Sequence, residues 1–197
     1  MRRKRQIQGG EKNTNRNKNK GTRALFTAAV QAIGNRIKGH HLSDGAFFFL
    51  ALVIFACDQL SKFWVARSFV PGETLPLVPD IFHITYVRNP GAAFGIFAHH
   101  TPVFIAVSLL MIIIIILGGR FLSGRYFLIR LSLALQLGGA LGNLSDRLRT
   151  GSVIDFIDFR FWPVFNLADI ALVMGIALLI ISMIYHNTYF FEKNGGA

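Results

Sequence analysis

The stretch GSVIDFIDFRFWPVFNLADIAL, residues 151–172, sets three carboxylates, Asp155, Asp158 and Asp169, beside a long apolar run. Charges within or bordering such runs are costly, and by default they point to function. Two carboxylates held together at a low-dielectric boundary do not both ionise, so one keeps a proton while the other is charged. Such a pair can activate water and protonate an amide nitrogen as it leaves. Asp169 also suits an ordinary helix start, with Asn166 as the cap and the acid complementing the dipole. Asp155 precedes Asp169 by fourteen residues, enough for a short loop or hairpin to return. On the residues alone, Asp158 fits as the partner equally well.

Other polar residues recur at helical spacing. Asp58 and Lys62 stand four apart with the acid first, the favourable order for an ion pair on one face. In GGALGNLSDR, Gly138 and Gly142 are one turn apart and admit a neighbouring helix, while Asn143, Asp146 and Arg147 share a face. These groups read as a polar network, and the Asn143 amide can also donate to a substrate carbonyl. No Ser-His-Asp or Cys-His set accompanies them. The six histidines, His40, His41, His83, His99, His100 and His186, include no HExxH spacing, and Cys57 is the only cysteine. Neither a metal site nor a disulfide is expected.

The positions of these residues depend on four apolar segments, 45–65, 101–117, 126–141 and 165–185, each near the ~20 residues that cross a bilayer core. The chain is 52% hydrophobic and 16% charged, too apolar for an ordinary soluble domain. A small polytopic membrane protein is expected. The third segment carries Arg130, near enough to one end to snorkel, and Gln136, which can bond a neighbouring helix.

Charge sets the orientation. Residues 1–44 hold eleven Lys and Arg against Glu11 and Asp44, and Arg120 and Arg125 mark the loop between the second and third spans. By the positive-inside rule both termini are cytoplasmic, and segments 66–100 and 142–164 face the other compartment. The basic tail lacks any nucleic-acid-binding motif, so no nucleic acid partner is expected, and anionic lipid is its natural neighbour. Residues 1–44 form a largely disordered cytoplasmic extension, with an amphipathic helix expected behind Thr22 from the spacing of Phe26, Val30, Ile33 and Ile37. A membrane domain over 45–187 and a short tail over 188–197 complete the chain. In the first outer segment IFHITYVRN, after the Pro79-Asp80 turn signal, reads as a strand or hairpin arm.

Two non-proteolytic classes also accommodate intramembrane Asp and Lys: a small transporter relaying protons or ions, and a lipid-binding scaffold whose polar motifs are helix glue. The first predicts transport by liposomes without proteolysis. The second predicts that changes at Asp155 and Asp169 affect stability alone.

DQLSK at 58–62, RNPGAAFG at 88–95, GGALGNLSDRLRTGSVIDF at 138–156 and FNLAD at 165–169, in this order, strongly resemble the bacterial lipoprotein signal peptidase family, signal peptidase II. The resemblance spans residues 45–185. It implies an all-α fold of four transmembrane helices in the bacterial inner membrane, with a small extracytoplasmic β-sheet. The implied activity is aspartic endopeptidase cleavage of diacylglyceryl-modified prolipoproteins before the lipidated cysteine, near the extracytoplasmic face. It assigns the catalytic pair to Asp155 and Asp169 and leaves Asp146 outside it. Asp58, Lys62, Asn89, Gly139, Asn143, Arg147 and Asn166 map to supporting positions. No cofactor is implied, the other partners are membrane lipids, and a monomer is expected. The link between the two catalytic motifs is shorter than is common in the family, and the basic tail lies outside the family core.

Overall fold

The computed structural model describes residues 28, 32, 42–91, 100–121 and 127–194, with side chains through 184. The chain divides into two compact units, 41–179 and a second made of 1–40 and 180–197. In the second, Ala28, Ala32 and the end of the last helix are helical. Thr22, Phe26 and the rest of the expected amphipathic helix lie outside the described residues.

Four helices form as the apolar segments require: α1 (Asp44–Ser68), α2 (Thr101–Phe121), α3 (Phe127–Thr150) and α4 (Leu167–Asn194). All four are long and apolar enough to cross a membrane. Ser43 opens α1 by accepting a hydrogen bond from the Ala46 N–H at 3.2 Å, and extended backbone at Phe69 ends it. Between the helices run β1 (Thr74–Val78), β2 (Phe82–Asn89) and β3 (Val153–Asp158), an antiparallel sheet in that order. The expected arm at 81–89 is therefore β2. Positive φ at Gly72 and Asp80 lets the chain turn into β1 and then into β2.

α3 is the central helix. Along its most apolar stretch 72% of its residues are buried, against 17–22% for the other three. Its glycines explain how two neighbours reach it. A Cβ on Gly138 would stand 2.6 Å from the Ala51 carbonyl of α1, and one on Gly139 would stand 2.5 Å from the Ala168 carbonyl of α4. Adjacent glycines thus open α3 toward α1 and α4, where dispersion contacts depend on close backbone approach. Gly175 does the same from α4, facing the Ser132 carbonyl and Gln136. Phe47, Ile112, Ile115, Leu133 and Leu137 fill the interface of α1, α2 and α3. Val65, Tyr86, Phe156 and Ile157 form a second core where α1 meets the sheet.

Two sets of contacts identify the bundle ends. At one, Arg130 donates to Asp44 at 2.6 Å and to the Gly119 carbonyl at 3.2 Å, joining the starts of α1 and α3 to the end of α2. At the other, Thr101 donates to the Gly151 carbonyl at 2.8 Å, bringing the start of α2 to the end of α3 beside the sheet. Arg130 does not snorkel as expected. It is 2% exposed: its guanidinium reaches the bundle end, as the sequence position allows, but is covered there and pairs with the largely exposed Asp44. Gln136 also departs from expectation, as its Nε2 has no hydrogen-bond partner among the described residues. α3 continues well past 141, so Asn143, Asp146 and Arg147 ride on the helix rather than in an outer segment.

Candidate active site

At the sheet end of the bundle, Lys62 organises the ends of α1 and α3. Its ammonium meets Asp58 Oδ2 at 2.8 Å, Asp146 Oδ2 at 2.9 Å and Asn143 Oδ1 at 3.0 Å. Three acceptors use its three donors, which is how a cation that is 2% exposed is accommodated. Asp58 then reaches α4, accepting from the Ala168 N–H at 2.9 Å. That N–H is among the first of α4, where no intrahelical partner exists and a carboxylate is favoured.

The start of α4 is a reciprocal cap. Asn166 Oδ1 accepts from the Asp169 N–H at 3.0 Å, and Asp169 Oδ2 accepts from the Asn166 N–H at 3.2 Å. The capping role foreseen for Asn166 and Asp169 therefore holds, and it leaves both residues with atoms to spare. The Asn166 amide donates to Asp155 Oδ1 at 2.6 Å and to Asn143 Oδ1 at 3.2 Å. Asn143 donates onward to Asp169 Oδ1 at 2.8 Å. Asn89, from β2, donates to the other Asp155 oxygen at 3.0 Å.

Strand alternation separates the two carboxylates of β3. Residues 155 and 158 differ by an odd number and so point to opposite faces. Asp155 lines a cleft of about 190 Å³ together with Asp169, Asn89, Asn143 and Arg147. Asp158 instead accepts from Thr85 at 2.7 Å and from the Arg160 backbone and guanidinium at 2.8 and 3.1 Å. These bonds shape the bend after β3, where Arg160 has φ of 67°.

The two acids consequently differ in electrostatics. Burial pushes the pKa of Asp155 up to about 7; the charge of Asp169 adds to the rise, and hydrogen bonds from Asn89 and Asn166 only partly oppose it. Burial also acts upward on Asp158, but the bonds from Thr85 and Arg160 outweigh it and hold that carboxyl below its ordinary range. Asp155 is thus the β3 carboxyl able to keep a proton near neutral pH. Arg147 lies over the Phe104 ring at 5.0 Å, and its charge acts on Asp155, Asp169 and Asp146.

Of the supporting residues expected from sequence, Asp58, Lys62, Asn143 and Asn166 join one hydrogen-bonded network, Asn89 touches Asp155, and Arg147 lines the cleft. Gly139 acts through packing, by admitting Ala168. Asp146 stands outside the cleft lining, held by Lys62 and accepting from the Ile154 N–H at 3.3 Å, so it ties the residue before Asp155 to α3. Sequence reasoning misses Gln59. Its amide donates to Asp146 Oδ1 at 3.0 Å and to the Gly142 carbonyl at 3.2 Å. Its place beside Asp58 is the one signal available in the sequence. Among the described residues, no group of three or more His, Cys, Asp or Glu is arranged to hold a metal ion.

The chain is similar to known proteins over most of its length. The family profile described as "Signal peptidase (SPase) II" matches residues 50–185. The lipoprotein signal peptidase of Moorella thermoacetica is 56% identical over 133 residues, covering 68% of this chain and 89% of that protein. That of Desulfitobacterium hafniense is 46% identical over 136 residues, covering 68% and 90%. A solved structure described as a bacterial membrane enzyme superposes with a TM-score of 0.70 at 29% identity, covering 76% of this chain and 95% of its own. A second so described gives 0.65 at 31% identity, covering 73% and 96%.

Proposed function

The chain belongs to the signal peptidase II family, and on that premise we propose that it removes the signal peptide from diacylglyceryl-modified prolipoproteins by cutting before the lipidated cysteine, with Asp155 and Asp169 as an aspartic dyad. The observation that carries the mechanism is the shared cleft. Two carboxylates from separate elements line it, and Asn166 bonds to both residues.

In the reacting state the pair shares one proton, which Asp155 carries. Asp169 takes a proton from a water in the cleft as the water oxygen attacks the scissile carbonyl carbon. Asp155 gives its proton to the carbonyl oxygen, and a neutral gem-diol results. As the diol collapses, one hydroxyl returns its proton to Asp155, while Asp169 passes the water's proton to the nitrogen. The C–N bond breaks, giving a new carboxyl on the signal peptide and the free amine of the modified cysteine. Asn143 and Asn166 hold the carboxyl oxygens in place through the cycle, and Arg147 offers a donor to the substrate backbone. The chain's own residues supply every proton transfer.

The site lies at the sheet end, away from Asp44 and Arg130. With the basic tail and Arg120 placed in the cytoplasm, that end opens at the outer face of the cytoplasmic membrane. Acyl chains would hold a modified cysteine at the same depth, and a monomer suffices, since one chain provides both aspartates.

The test uses purified wild type, Asp155→Asn and Asp169→Asn in detergent with a diacylglyceryl-modified prolipoprotein and its unlipidated form. Cleavage of the lipidated substrate by wild type alone is expected. No cleavage by a folded wild type, or full activity in either variant, overturns the reading.

A further inference from the structure

The polar lining of the cleft comes from four regular elements, α3, α4, β2 and β3. Most of its apolar lining comes from one short loop, residues 159–166, which contributes Trp162, Pro163, Val164 and Phe165. This loop is pinned at its base. Phe165 and Ile157 exchange backbone hydrogen bonds at 2.8 and 3.1 Å. Asp158 holds the Arg160 backbone, and Phe159 packs between Phe82 and Phe165, with ring centroids 5.2 and 5.9 Å away. A non-glycine residue at φ 67° within it persists where the surroundings dictate the conformation.

The loop spends its rigidity on presenting aromatics outward. Phe161 is 83% exposed, and Trp162 is 59% exposed although it lines the cleft. A tryptophan left this open forgoes much of the stabilisation that burying its ring provides. Its position at the cleft, at the end of the bundle read above as the outer face, suits a ligand that is apolar and also carries hydrogen-bond acceptors. Indole matches that chemistry, with an apolar body and one N–H donor. A glyceryl diester joined through a thioether has both properties, an apolar surface and ester carbonyls.

We propose that Trp162 is a specificity residue for the lipid: its ring packs against the thioether-linked glyceryl group of the modified cysteine and sets the substrate's position against the aspartates. This rests on the peptidase reading above and deepens it. The peptide on the other side of the scissile bond then owes little to Trp162. Truncation of the ring therefore acts on binding of the lipidated half of the substrate, not on the proton transfers.

The experiment compares full-length wild type, Trp162→Ala, Trp162→Phe and Phe161→Ala in detergent. It measures kcat and KM on a lipidated prolipoprotein, and direct binding of two fragments: a peptide beginning with diacylglyceryl-cysteine, and the free signal peptide. Trp162→Ala is expected to raise KM and weaken lipopeptide binding about tenfold, with a much smaller change in kcat and in signal-peptide binding. Trp162→Phe keeps an aromatic body and falls between, so the outcome does not hang on the folding of the alanine variant. Unchanged lipopeptide binding in both Trp162 variants, or a loss confined to kcat or to signal-peptide binding, overturns the proposal. A Phe161→Ala loss equal to that of Trp162→Ala overturns it too, since it assigns the effect to general membrane anchoring. If wild type binds the lipopeptide through Trp162 but cleaves nothing, the peptidase reading fails while the lipid contact stands.

Discussion

Asn166 and Asp155 are joined by a 2.6 Å hydrogen bond, while the same asparagine caps the helix that carries Asp169. One side chain therefore fixes both carboxyls: its amide holds the β3 acid and its carbonyl oxygen holds the backbone of the α4 acid. Substitution by Asp keeps a cap but removes the donor and sets a third carboxyl beside the pair. Asn166→Asp is expected to lower cleavage by at least about tenfold with the helix retained, as measured by kcat and by circular dichroism.

The dyad itself is tested by amide substitution. Asp155→Asn and Asp169→Asn each preserve volume and remove a transferable proton, so kcat should fall at least about 10²-fold. Asp158→Asn should stay within about tenfold of wild type, because Arg160 is half exposed and the Asx bond to its backbone survives. An inactive but folded Asp158 variant would show that the wrong β3 carboxyl has been chosen.

Asp155 makes activity and stability depend on pH in a definite direction. With a folded pKa raised to about 7, the native protein binds a proton that the unfolded chain, near its ordinary value of about 4, has already released. Between about pH 4 and 7 stability therefore falls as pH rises, and above 7 the full penalty is present. Thermal unfolding from pH 5 to 8 should show a decline that is smaller in Asp155→Asn. Cleavage that needs a protonated Asp155 should lose rate above about pH 7.

Lys62 neutralises two buried acids at once. Lys62→Met leaves Asp58 and Asp146 uncompensated, a loss on the order of 3–5 kcal/mol. Lys62→Arg should not restore it, because a planar guanidinium does not reproduce the ammonium's three-acceptor geometry. Unfolding in a denaturant series would measure both.

Gly139→Ala sets a methyl 2.5 Å from the Ala168 carbonyl, one residue before Asp169. α4 has to shift, and cleavage should drop along with thermal stability. Gly45→Ala meets nothing within 4 Å and serves as the neutral control. Equal behaviour of the two would remove the helix approach from the account of the site.

The four spans are legible in the residues alone, because their length and apolarity leave a chain of this kind few other places to go. So are the Asp58–Lys62 pair, which one helical turn enforces, and the Asn166–Asp169 cap, which is local to four residues. Motif resemblance brought Asp155 forward, but spacing alone could not separate it from Asp158. The fold turns the two to opposite faces, with Asp155 alone on the cleft, since positions three apart in a strand face opposite ways, and β3 exists because β2 pairs with it across more than sixty residues of chain. Packing decided the fate of Arg130, covered at the bundle end where it pairs with Asp44, and gave Gln59 and Thr85 partners that no local pattern announces. The acids' different pKa values belong to the same class. They follow from burial and from donors on other elements, which come together only after the helices have closed around their glycines.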